Sequence, residues 1–499
     1  MKKPNVLYIM ADQFNANCLG ALGAQVKTPV LDNLVEKGVL FNKAFCNYPI
    51  CAPSRCSFIT GQYPHTHGIY ANDIYEFGER NENTLGAVFR RAGYQTALIG
   101  KSHMIGEWDR EGFEYIRYCD MTDCLRGDPL ENHYFKYLYD NGIADLYDNG
   151  TLHDMHPGSN HKGFISEIPY RHTLEPWTGD ETLQFLEHRD KTRPFFIHMS
   201  FERPHEPLSI PYDYELLYNT EDIKLPDSAS DLFERGFAGK PAKHKKHADN
   251  HSLYPYIPDS REDLKRQLAF YYTLITMIDE QIGRVIKKLV ETGEYDNTAI
   301  VFTADHGDFA GEHGMMFKSL GIYESIHRIP FILKYPGCPE NIKIEKIIES
   351  IDLFPTLCHI CNLEVPETVE GTSVLPIIEQ MEDGKEYAVC EWDSHYYNGR
   401  IFAIRTNEYR LIYGGMDEDG ELYDLKSDPD ELKNLYNNRD YQVVCNDLKQ
   451  KLFIYISQYR AKLSSGDARK KMYRYRNCMD RLIQKEKVNW KEIEKFYRH

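Results

Sequence analysis

The chain is organised around residues 51–62, whose sequence is CAPSRCSFITGQ. The small residues and Pro53 predict a short helix here, because the fixed backbone angle of proline suits the first helical turn. Cys51 is therefore expected at or just before the helix N-terminus, where free N–H groups and the helix dipole favour an anion. Arg55 is expected to point back to the same end and to offer its planar guanidinium to an oxyanion. The structural alternative is a buried cysteine beside an exposed arginine.

The length and the net charge of the chain limit the classes of protein to which it can belong. The 499 residues exceed what one compact core usually holds, so we expect two domains, or one large α/β domain with a smaller appendage. The composition is that of an ordinary globular enzyme. The formal net charge of −17 disfavours nucleic acid, an anionic membrane and a long polyanion as partners. A local cluster of basic side chains remains compatible with a small anionic group.

The N-terminus and the cysteines favour a cytoplasmic enzyme. Residues 1–4 run directly into an apolar strand, without the apolar stretch and small-residue cleavage site of a secretory signal. No apolar run reaches the length of a transmembrane helix. The twelve cysteines have no framework spacing, so we expect reduced thiols. Cys358 and Cys361 have the spacing of a redox motif, but they lie on a predicted helix, where packing is the favoured role.

The first part of the chain alternates apolar strands with amphipathic helices, which is typical of a parallel sheet covered on both faces. The predicted strands are residues 5–10, 95–99, 195–201 and 299–303, and the predicted helices are residues 28–37, 84–92, 261–292 and 352–361. The helix at 261–292 has the strongest signal, because its apolar residues recur at three- and four-residue steps. Residues 105–175 have weak periodicity and are predicted to be loops and short insertions over the active-site face, and residues 206–260 are predicted to be irregular. Substrate selection is expected to lie in these two segments. The basic, His-rich patch at 240–251 is predicted to be a solvated loop, with binding of a metal or an anion as the alternative.

After about residue 390 the pattern changes to short strands. Residues 401–405 and 409–413 predict an antiparallel hairpin, residues 421–425 a further strand, and residues 441–459 a helix. The basic tail from Arg460 is predicted to be a solvated helix or a contact in a homo-oligomer. We therefore predict a catalytic α/β domain over residues 1–385 and a smaller α+β subdomain with an antiparallel sheet over residues 386–499.

Polar side chains follow four of the predicted strands: Asp12, Lys101 with His103, His205, and Asp305 with His306. Ligands bind outside the carboxyl ends of strands in open parallel sheets, so these side chains are expected to gather with Cys51 at one edge. Each one alone has an ordinary explanation as a helix cap or a backbone partner. Together they predict a site. Asp12, Asp305 and His306 would offer oxygen and imidazole ligands to one divalent cation such as Ca²⁺, Mg²⁺ or Mn²⁺.

Six stretches, in the same order along the chain, resemble the motifs of the type I sulfatases. They are residues 5–13, 51–61 with the pattern Cys-x-Pro-x-Arg and a Thr-Gly pair, 100–103, 201–207, 303–318 and 408–435. The resemblance implies a mostly parallel α/β sheet between helices, as in the alkaline phosphatase superfamily, and hydrolysis of a sulfate monoester. It also implies that a sulfatase-maturing enzyme oxidises Cys51 to Cα-formylglycine, which supplies the nucleophile.

The same resemblance assigns roles to the residues of the site. The implied metal ligands are Asp12, Gln13, Cys51, Asp305 and His306, with Ca²⁺ as the first expectation. Arg55 and Lys101 would hold the formylglycine hydrate that attacks sulfur. His205 would protonate the leaving alcohol, and His103 would take the proton of the second hydroxyl so that sulfate is expelled. Lys318 and Asn72 would bind the sulfate of a small-molecule or oligosaccharide ester.

Two residues place the chain within the family. Gln13 and His306 depart from the commonest lysosomal pattern and are similar to bacterial choline sulfatases, phosphonate monoester hydrolases and some glycan sulfatases. The metal and the substrate therefore stay open, with choline, aryl, monosaccharide and glycosaminoglycan sulfates as candidates.

Three other functions are weighed against sulfate hydrolysis. A phosphonate monoester or phosphodiester hydrolase is disfavoured by Lys101-x-His103 and by the lack of an Arg-Asn-Gly stretch after the signature. A non-catalytic glycan-binding relative would lose the nucleophile, the arginine or the metal aspartates, and none is lost. A metal-dependent mutase or phosphatase of the wider superfamily would carry serine or threonine at position 51.

Overall fold

The computed structural model describes residues 3–70, 72, 83–103, 112–120, 129–147, 163–215, 217–242, 244, 257–318, 320–394, 399–414 and 420–458. The strands are β1 Asn5–Asp12, β2 Val39–Phe45, β3 Gln95–Gly100, β4 Tyr115–Tyr118, β5 Phe164–Ser166, β6 Phe195–Pro204, β7 Ser209–Pro211, β8 Thr298–Ala304, β9 Arg328–Ile329, β10 Phe331–Lys334, β11 Ile342–Glu349, β12 Tyr387–Ser394, β13 Gly399–Thr406, β14 Tyr409–Gly414 and β15 Glu421–Asp424. The longer helices are α1 Pro29–Glu36, α2 Cys51–Thr60, α3 Leu85–Arg91, α4 His133–Asp140, α5 Leu174–His188, α6 Arg261–Glu291, α7 Leu353–Ile360 and α8 Gln442–Gln458. Single helical turns form at Pro64–His67, Ser230–Phe233, Glu324–His327 and Leu375–Ile378.

The large sheet is mostly parallel and has the strand order β11-β2-β10-β8-β1-β6-β3-β4, with β9 beside β2. β1 pairs in parallel with β6 and β8, and β3 pairs in parallel with β6 and β4. β10 runs antiparallel to β8 and β2. The carboxyl ends of β8, β1, β6 and β3 therefore lie side by side at one edge of the sheet, which confirms the predicted fold class.

Helices cover both faces of this sheet. Every residue of β1, β6 and β8 is buried, as expected for strands that are packed on both sides. α6 packs against α1 and α5, whereas α2 packs against α3 and α7. α6 buries the apolar stripe that predicted it. None of the helices within the described ranges combines the length and apolar composition needed to cross a bilayer.

A second, antiparallel sheet has the order β12-β13-β14-β15 and packs against α8. Its own apolar core includes Phe402 and Leu411 from the strands and Leu448 and Leu452 from α8. The predicted hairpin, the strand at 421–425 and the last helix are confirmed. The domain boundary at residue 385 stays a prediction, and the tail from residue 460 lies outside the described residues.

The prediction of loops over residues 105–175 was wrong in part. This stretch contains β4, α4, β5 and the start of α5. α5 lacks a clear apolar stripe because it buries small and polar residues as well as large apolar ones, among them Glu175, Thr178 and Gly179. Gly179 lies so close to α6 that an added Cβ would come within 2.6 Å of Gln281. The close packing of α5 against α6 therefore explains why the sequence of α5 shows no apolar period.

The prediction of a solvated loop at 240–251 was wrong for its first part. Lys240 is buried, its Nζ donates to the Tyr423 hydroxyl at 2.8 Å, and it lies over the rings of Tyr323 and Tyr423. His244 is buried as well, with Nε2 2.8 Å from the Tyr323 hydroxyl. These cation–π and hydrogen-bond contacts come from residues distant in sequence, so the local basic composition could not indicate them. Residues 243 and 245–251 lie outside the described part of the patch.

Gly100 ends β3 and turns the chain toward Lys101. Its φ is +98°, and an added Cβ would lie 1.8 Å from the Ser200 carbonyl oxygen of β6. We expect Gly100→Ala to lower the free energy of unfolding by about 2–4 kcal/mol, because backbone strain and a backbone collision act together. Urea-induced unfolding measures this loss.

Gly93→Ala is the matched control for that change. Gly93 also has a positive φ, +87°, but an added Cβ would meet nothing within 4 Å. Only the strain of about 1–2 kcal/mol should then remain. Equal losses in the two variants would contradict a collision with β6.

Candidate active site

The polar ends of four neighbouring strands meet the N-terminus of α2. Asp12 is the last residue of β1, and the side chains that directly follow β3, β6 and β8 are Lys101, His205 and Asp305. Cys51 is the first residue of α2, and it follows Ile50 in an extended conformation. The structure thus brings together the side chains that the sequence predicted, and it confirms the helix that begins at Cys51.

Arg55 joins these strand ends from the inside. Its Nε donates to Asp305 Oδ2 at 2.9 Å and its Nη2 to Asp12 Oδ2 at 3.1 Å. Nη1 donates to the Ser200 hydroxyl at 2.8 Å and to the Lys101 carbonyl oxygen at 3.1 Å. The side chain is 1% exposed, so the alternative of an exposed arginine is wrong. A planar guanidinium is suited to such a fork, whereas a lysine is not.

Asp12, Cys51, Asp305 and His306 form a group whose ligand atoms all lie within 4.8 Å of one another. Cys51 Sγ is 3.5 Å from Asp12 Oδ1 and 3.3 Å from His306 Nε2. Burial raises the pKa of the Cys51 thiol to about 12, and Asp12 adds to this effect. Burial would also raise the pKa of Asp12, but Lys101, Arg55 and other cations hold it well below its usual range.

The orientation of His306 fits a cation in this group. Its Nδ1 lies 2.9 Å from the Gly307 carbonyl oxygen, an acceptor, so the ring proton belongs on Nδ1. The lone pair of Nε2 then faces Asp12 Oδ1 and Asp305 Oδ1, each 3.8 Å away. Three acceptors that converge in a buried place call for a positive charge between them, and two carboxylates with an imidazole suit a divalent metal.

Gln13 links this group to Lys318. Its backbone N–H donates to Asp305 Oδ1 at 3.0 Å, and its Oε1 accepts from Lys318 Nζ at 2.7 Å. Its Nε2 donates to Glu206 Oε2 at 2.8 Å and to Asp308 Oδ2 at 2.7 Å. Lys318 Nζ in turn lies 3.5 Å from Cys51 Sγ. Gln13 is therefore beside the group, and its role as a metal ligand stays a prediction.

Lys101 lies between two buried carboxylates. Its Nζ is 2.9 Å from Asp12 Oδ2 and 3.2 Å from Glu202 Oε1. Burial would lower the pKa of Lys101, but Asp12 and Glu202 raise it well above its usual value. Burial raises the pKa of Glu202 to about 7, even though Lys101 opposes the shift. Lys101 therefore stays charged next to residue 51.

The two predicted catalytic histidines flank the same edge. His103 Nδ1 lies 3.4 Å from Asp120 Oδ2, and burial lowers the pKa of this histidine to about 4. His205 Nδ1 lies 2.7 Å from the Glu206 carbonyl oxygen, and its side chain is 19% exposed. Burial and Lys318 hold the pKa of His205 well below its usual value. Both rings are therefore neutral in this structure.

Asn72 reaches the N-terminus of α2 by its side chain. Its Oδ1 accepts a hydrogen bond from the Ala52 N–H at 3.0 Å, which satisfies one of the free donors of the helix. This contact places Asn72 next to Cys51. Its contact with the sulfate stays a prediction.

Several residues of the site were missed from the sequence. Arg203 Nη1 donates to the His205 carbonyl oxygen at 3.0 Å and also to that of Pro207, and so fixes the turn that carries His205. The end of a predicted strand lies beside three of these residues, Glu202, Arg203 and Glu206. Their position at this strand end could have indicated that they belong to the site. Asp120 gave no such signal, because its strand was not predicted.

Comparisons with known proteins agree on one family. Residues 4–363 match the family described as Sulfatase, and residues 311–458 match N-sulphoglucosamine sulphohydrolase, C-terminal. An arylsulfatase of Clostridium perfringens is 31% identical over 467 residues, which cover 88% of this chain and 92% of that protein. An N-acetylglucosamine-6-O-sulfatase of Bacteroides thetaiotaomicron is 27% identical, over 92% of this chain and 87% of that protein. The solved phosphonate monoester hydrolase of Agrobacterium radiobacter is 26% identical with a TM-score of 0.75, over 92% of this chain and 96% of its own.

Proposed function

Since this chain belongs to the sulfatase family, we propose that its buried cluster hydrolyses a sulfate monoester of a carbohydrate or another small organic alcohol. As a sulfatase, it is a sulfuric ester hydrolase. The observation that carries the proposal is the position of Cys51, at the start of α2 and within 3.5 Å of Asp12, His306 and Lys318. The helix N-terminus and the lysine offer positive charge at the place where sulfate oxygens would gather.

We propose further that a maturing enzyme converts Cys51 to formylglycine, whose hydrate carries two hydroxyl groups on one carbon. One hydroxyl oxygen forms a bond to sulfur while the bond from sulfur to the alcohol oxygen breaks. The second hydroxyl then gives up its proton, the carbon–oxygen bond to sulfate breaks, and the aldehyde is restored. A protonated thiol with a pKa of about 12 offers no comparable nucleophile, which supports the conversion.

The polar side chains around position 51 bind two different sets of oxygen atoms. Arg55 and Lys101 hold the hydroxyl groups of residue 51, and Lys318 and Asn72 bind the sulfate oxygens. A metal held by Asp12, Asp305 and His306, with Gln13 beside it, would supply a positive charge that lowers the pKa of the attacking hydroxyl. We propose Ca²⁺, with Mn²⁺ and Mg²⁺ as alternatives, and metal analysis of the purified protein identifies the ion.

The two histidines move protons. His205 protonates the leaving alcohol, and His103 accepts the proton of the second hydroxyl. Because burial keeps His205 neutral in the free protein, the bound sulfate must raise its pKa before it can act as an acid. A negatively charged ester next to the ring does this, because it favours the imidazolium form.

A phosphonate monoester hydrolase is the second candidate, because the chain resembles a solved enzyme of that kind over most of its length. The test compares 4-nitrophenyl sulfate with 4-nitrophenyl phenylphosphonate, which release the same alcohol. We expect kcat/KM of the matured protein to be higher for the sulfate by about tenfold or more.

Cys51→Ala gives the blank for both substrates, and the mass of the peptide with residue 51 verifies maturation. A mass with oxygen in place of sulfur, and the accompanying loss of hydrogen, is expected. The opposite preference would establish the phosphonate activity, and matured protein that cleaves neither these two esters nor any sulfate of the panel described below would favour a glycan-binding role.

The substrate is best supported as a small or oligosaccharide sulfate. The relative from Bacteroides thetaiotaomicron is named for a sulfated amino sugar. The net charge of −17 disfavours a long polyanion. A desulfation panel of choline, aryl, monosaccharide and glycosaminoglycan-fragment sulfates separates the candidates. A cytoplasmic location and assembly as a homo-oligomer stay predictions.

A further inference from the structure

Asp120 reaches the site through the pairing of β4 with β3. The two strands run in parallel with Gly100 opposite Tyr118, and the Cys119 N–H donates to the Gly100 carbonyl oxygen at 3.1 Å. His103 and Asp120 therefore lie just beyond the carboxyl ends of two neighbouring strands, at the same edge of the sheet. Asn132 fixes the backbone at this point, because its Nδ2 donates to the Asp120 carbonyl oxygen at 2.8 Å.

The Asp120 carboxylate faces one nitrogen of the His103 ring. Asp120 Oδ2 lies 3.4 Å from His103 Nδ1, and both residues are buried. Within the part of the chain that the structure describes, His103 Nδ1 makes no hydrogen bond, and Asp120 is the carboxylate that faces it at ion-pair distance. The backbone of His103 has φ +59°, a conformation that few residues other than glycine adopt, so the direction of this side chain is held by the fold.

We propose that Asp120 is the positioning residue of His103, and this inference rests on the proposed function. The carboxylate keeps the ring proton on Nδ1, so that Nε2 carries the lone pair. Nε2 then accepts the proton of the second hydroxyl of residue 51, the electron pair of that O–H bond forms the C=O bond, and sulfate leaves with the electrons of the broken C–O bond. Asp120 stabilises the imidazolium that results.

Asp120→Asn tests this role, because it keeps the size of the side chain but removes the charge. The first step does not use His103 as a base, so the matured variant should release about one alcohol per molecule at an unchanged rate. Steady-state kcat should fall by about 10- to 100-fold. Mass spectrometry should find one SO₃ group on the peptide with residue 51. A merely structural loss would reduce the burst and the steady state together.

Two further variants complete the experiment. His103→Ala should trap the same sulfated peptide, and adding Asp120→Asn to it should cause no further loss of kcat. Asp231→Asn is the matched control, because it removes the charge from another buried His–Asp pair, in which Asp231 Oδ2 lies 3.0 Å from His313 Nδ1, and the proposed mechanism gives this pair no role. It should lower stability without trapping sulfate.

The outcomes separate this inference from the proposed function. If His103→Ala traps sulfate and Asp120→Asn does not, the positioning role is overturned and the function stands. Loss of the burst in Asp120→Asn also overturns it. If the wild-type protein fails to cleave sulfate esters, or His103→Ala traps nothing, the inference fails together with the proposed role of His103.

Discussion

Cys51→Ser is expected to release at most about one alcohol per molecule and then to stop, with sulfate bound to the new hydroxyl group. A serine hydroxyl occupies the position of Cys51 Sγ, within reach of Lys318, and can attack sulfur. It has no second hydroxyl on the same carbon, so the sulfate ester that forms cannot break down by forming an aldehyde. Steady-state kcat should therefore fall by more than about 10³-fold.

Rapid mixing with 4-nitrophenyl sulfate measures the burst, and mass spectrometry locates the added SO₃ group on the peptide that contains residue 51. Cys51→Ala is the control, because it lacks any nucleophile and should show neither a burst nor an added mass. Full multiple turnover by Cys51→Ser would contradict the mechanism. Absence of a trapped sulfate in a variant that binds substrate would do the same.

Arg55→Met should abolish turnover and lower the free energy of unfolding by about 3–5 kcal/mol. The guanidinium is buried between Asp12 and Asp305, and its loss leaves two carboxylates in the interior without their partner. Burial alone would lower the pKa of Arg55, but the two carboxylates raise it, so the side chain is charged in the native protein. Arg55→Lys keeps the charge without the fork and should lose most of the activity as well.

Thermal or urea-induced unfolding and steady-state kinetics measure the two effects separately. Arg410→Met is the matched control, since Arg410 is also buried and pairs with Glu324 and Glu431, away from the site. It should lower stability by a similar amount and leave kcat of the folded molecules close to the wild-type value. A normal kcat in Arg55→Met would show that Arg55 only supports the fold.

The part of the site that the sequence predicted consists of residues at the ends of fully buried strands. β1 and β8 are mostly apolar and fully buried, and β1 ends in the carboxylate of Asp12, whereas the carboxylate of Asp305 directly follows β8. In a parallel sheet such ends must lie at one edge, whatever the exact order of the strands. Pro53 similarly determined where α2 begins. The strand order confirms the predicted fold class, and the match over residues 4–363 confirms the sulfatase family.

The residues that were missed depend on contacts that no local pattern reports. α5 has no apolar stripe because it buries Glu175 and Gly179 against its neighbours, and the short β4 has too few residues to show a period. The position of Asp120 in the site could not be predicted, because it depends on β4. Lys240 was predicted to be solvated, but the rings of Tyr323 and Tyr423 cover it. These two residues lie far along the chain from Lys240, so the local sequence does not indicate the contact. Packing partners, more than propensity, decide such positions.

The complete burial of α2 at Cys51 sets an order of events in the life of the protein. Cys51 and Arg55 are at most 1% exposed, and the strand ends of the central sheet enclose them. A second enzyme cannot bind these buried residues in the native state. We therefore expect the thiol to be oxidised before the nascent chain has folded, or during rare unfolding. Folding and maturation then compete for the same interval. A chain that folds first is well formed and inert, and its yield on expression says nothing about its activity.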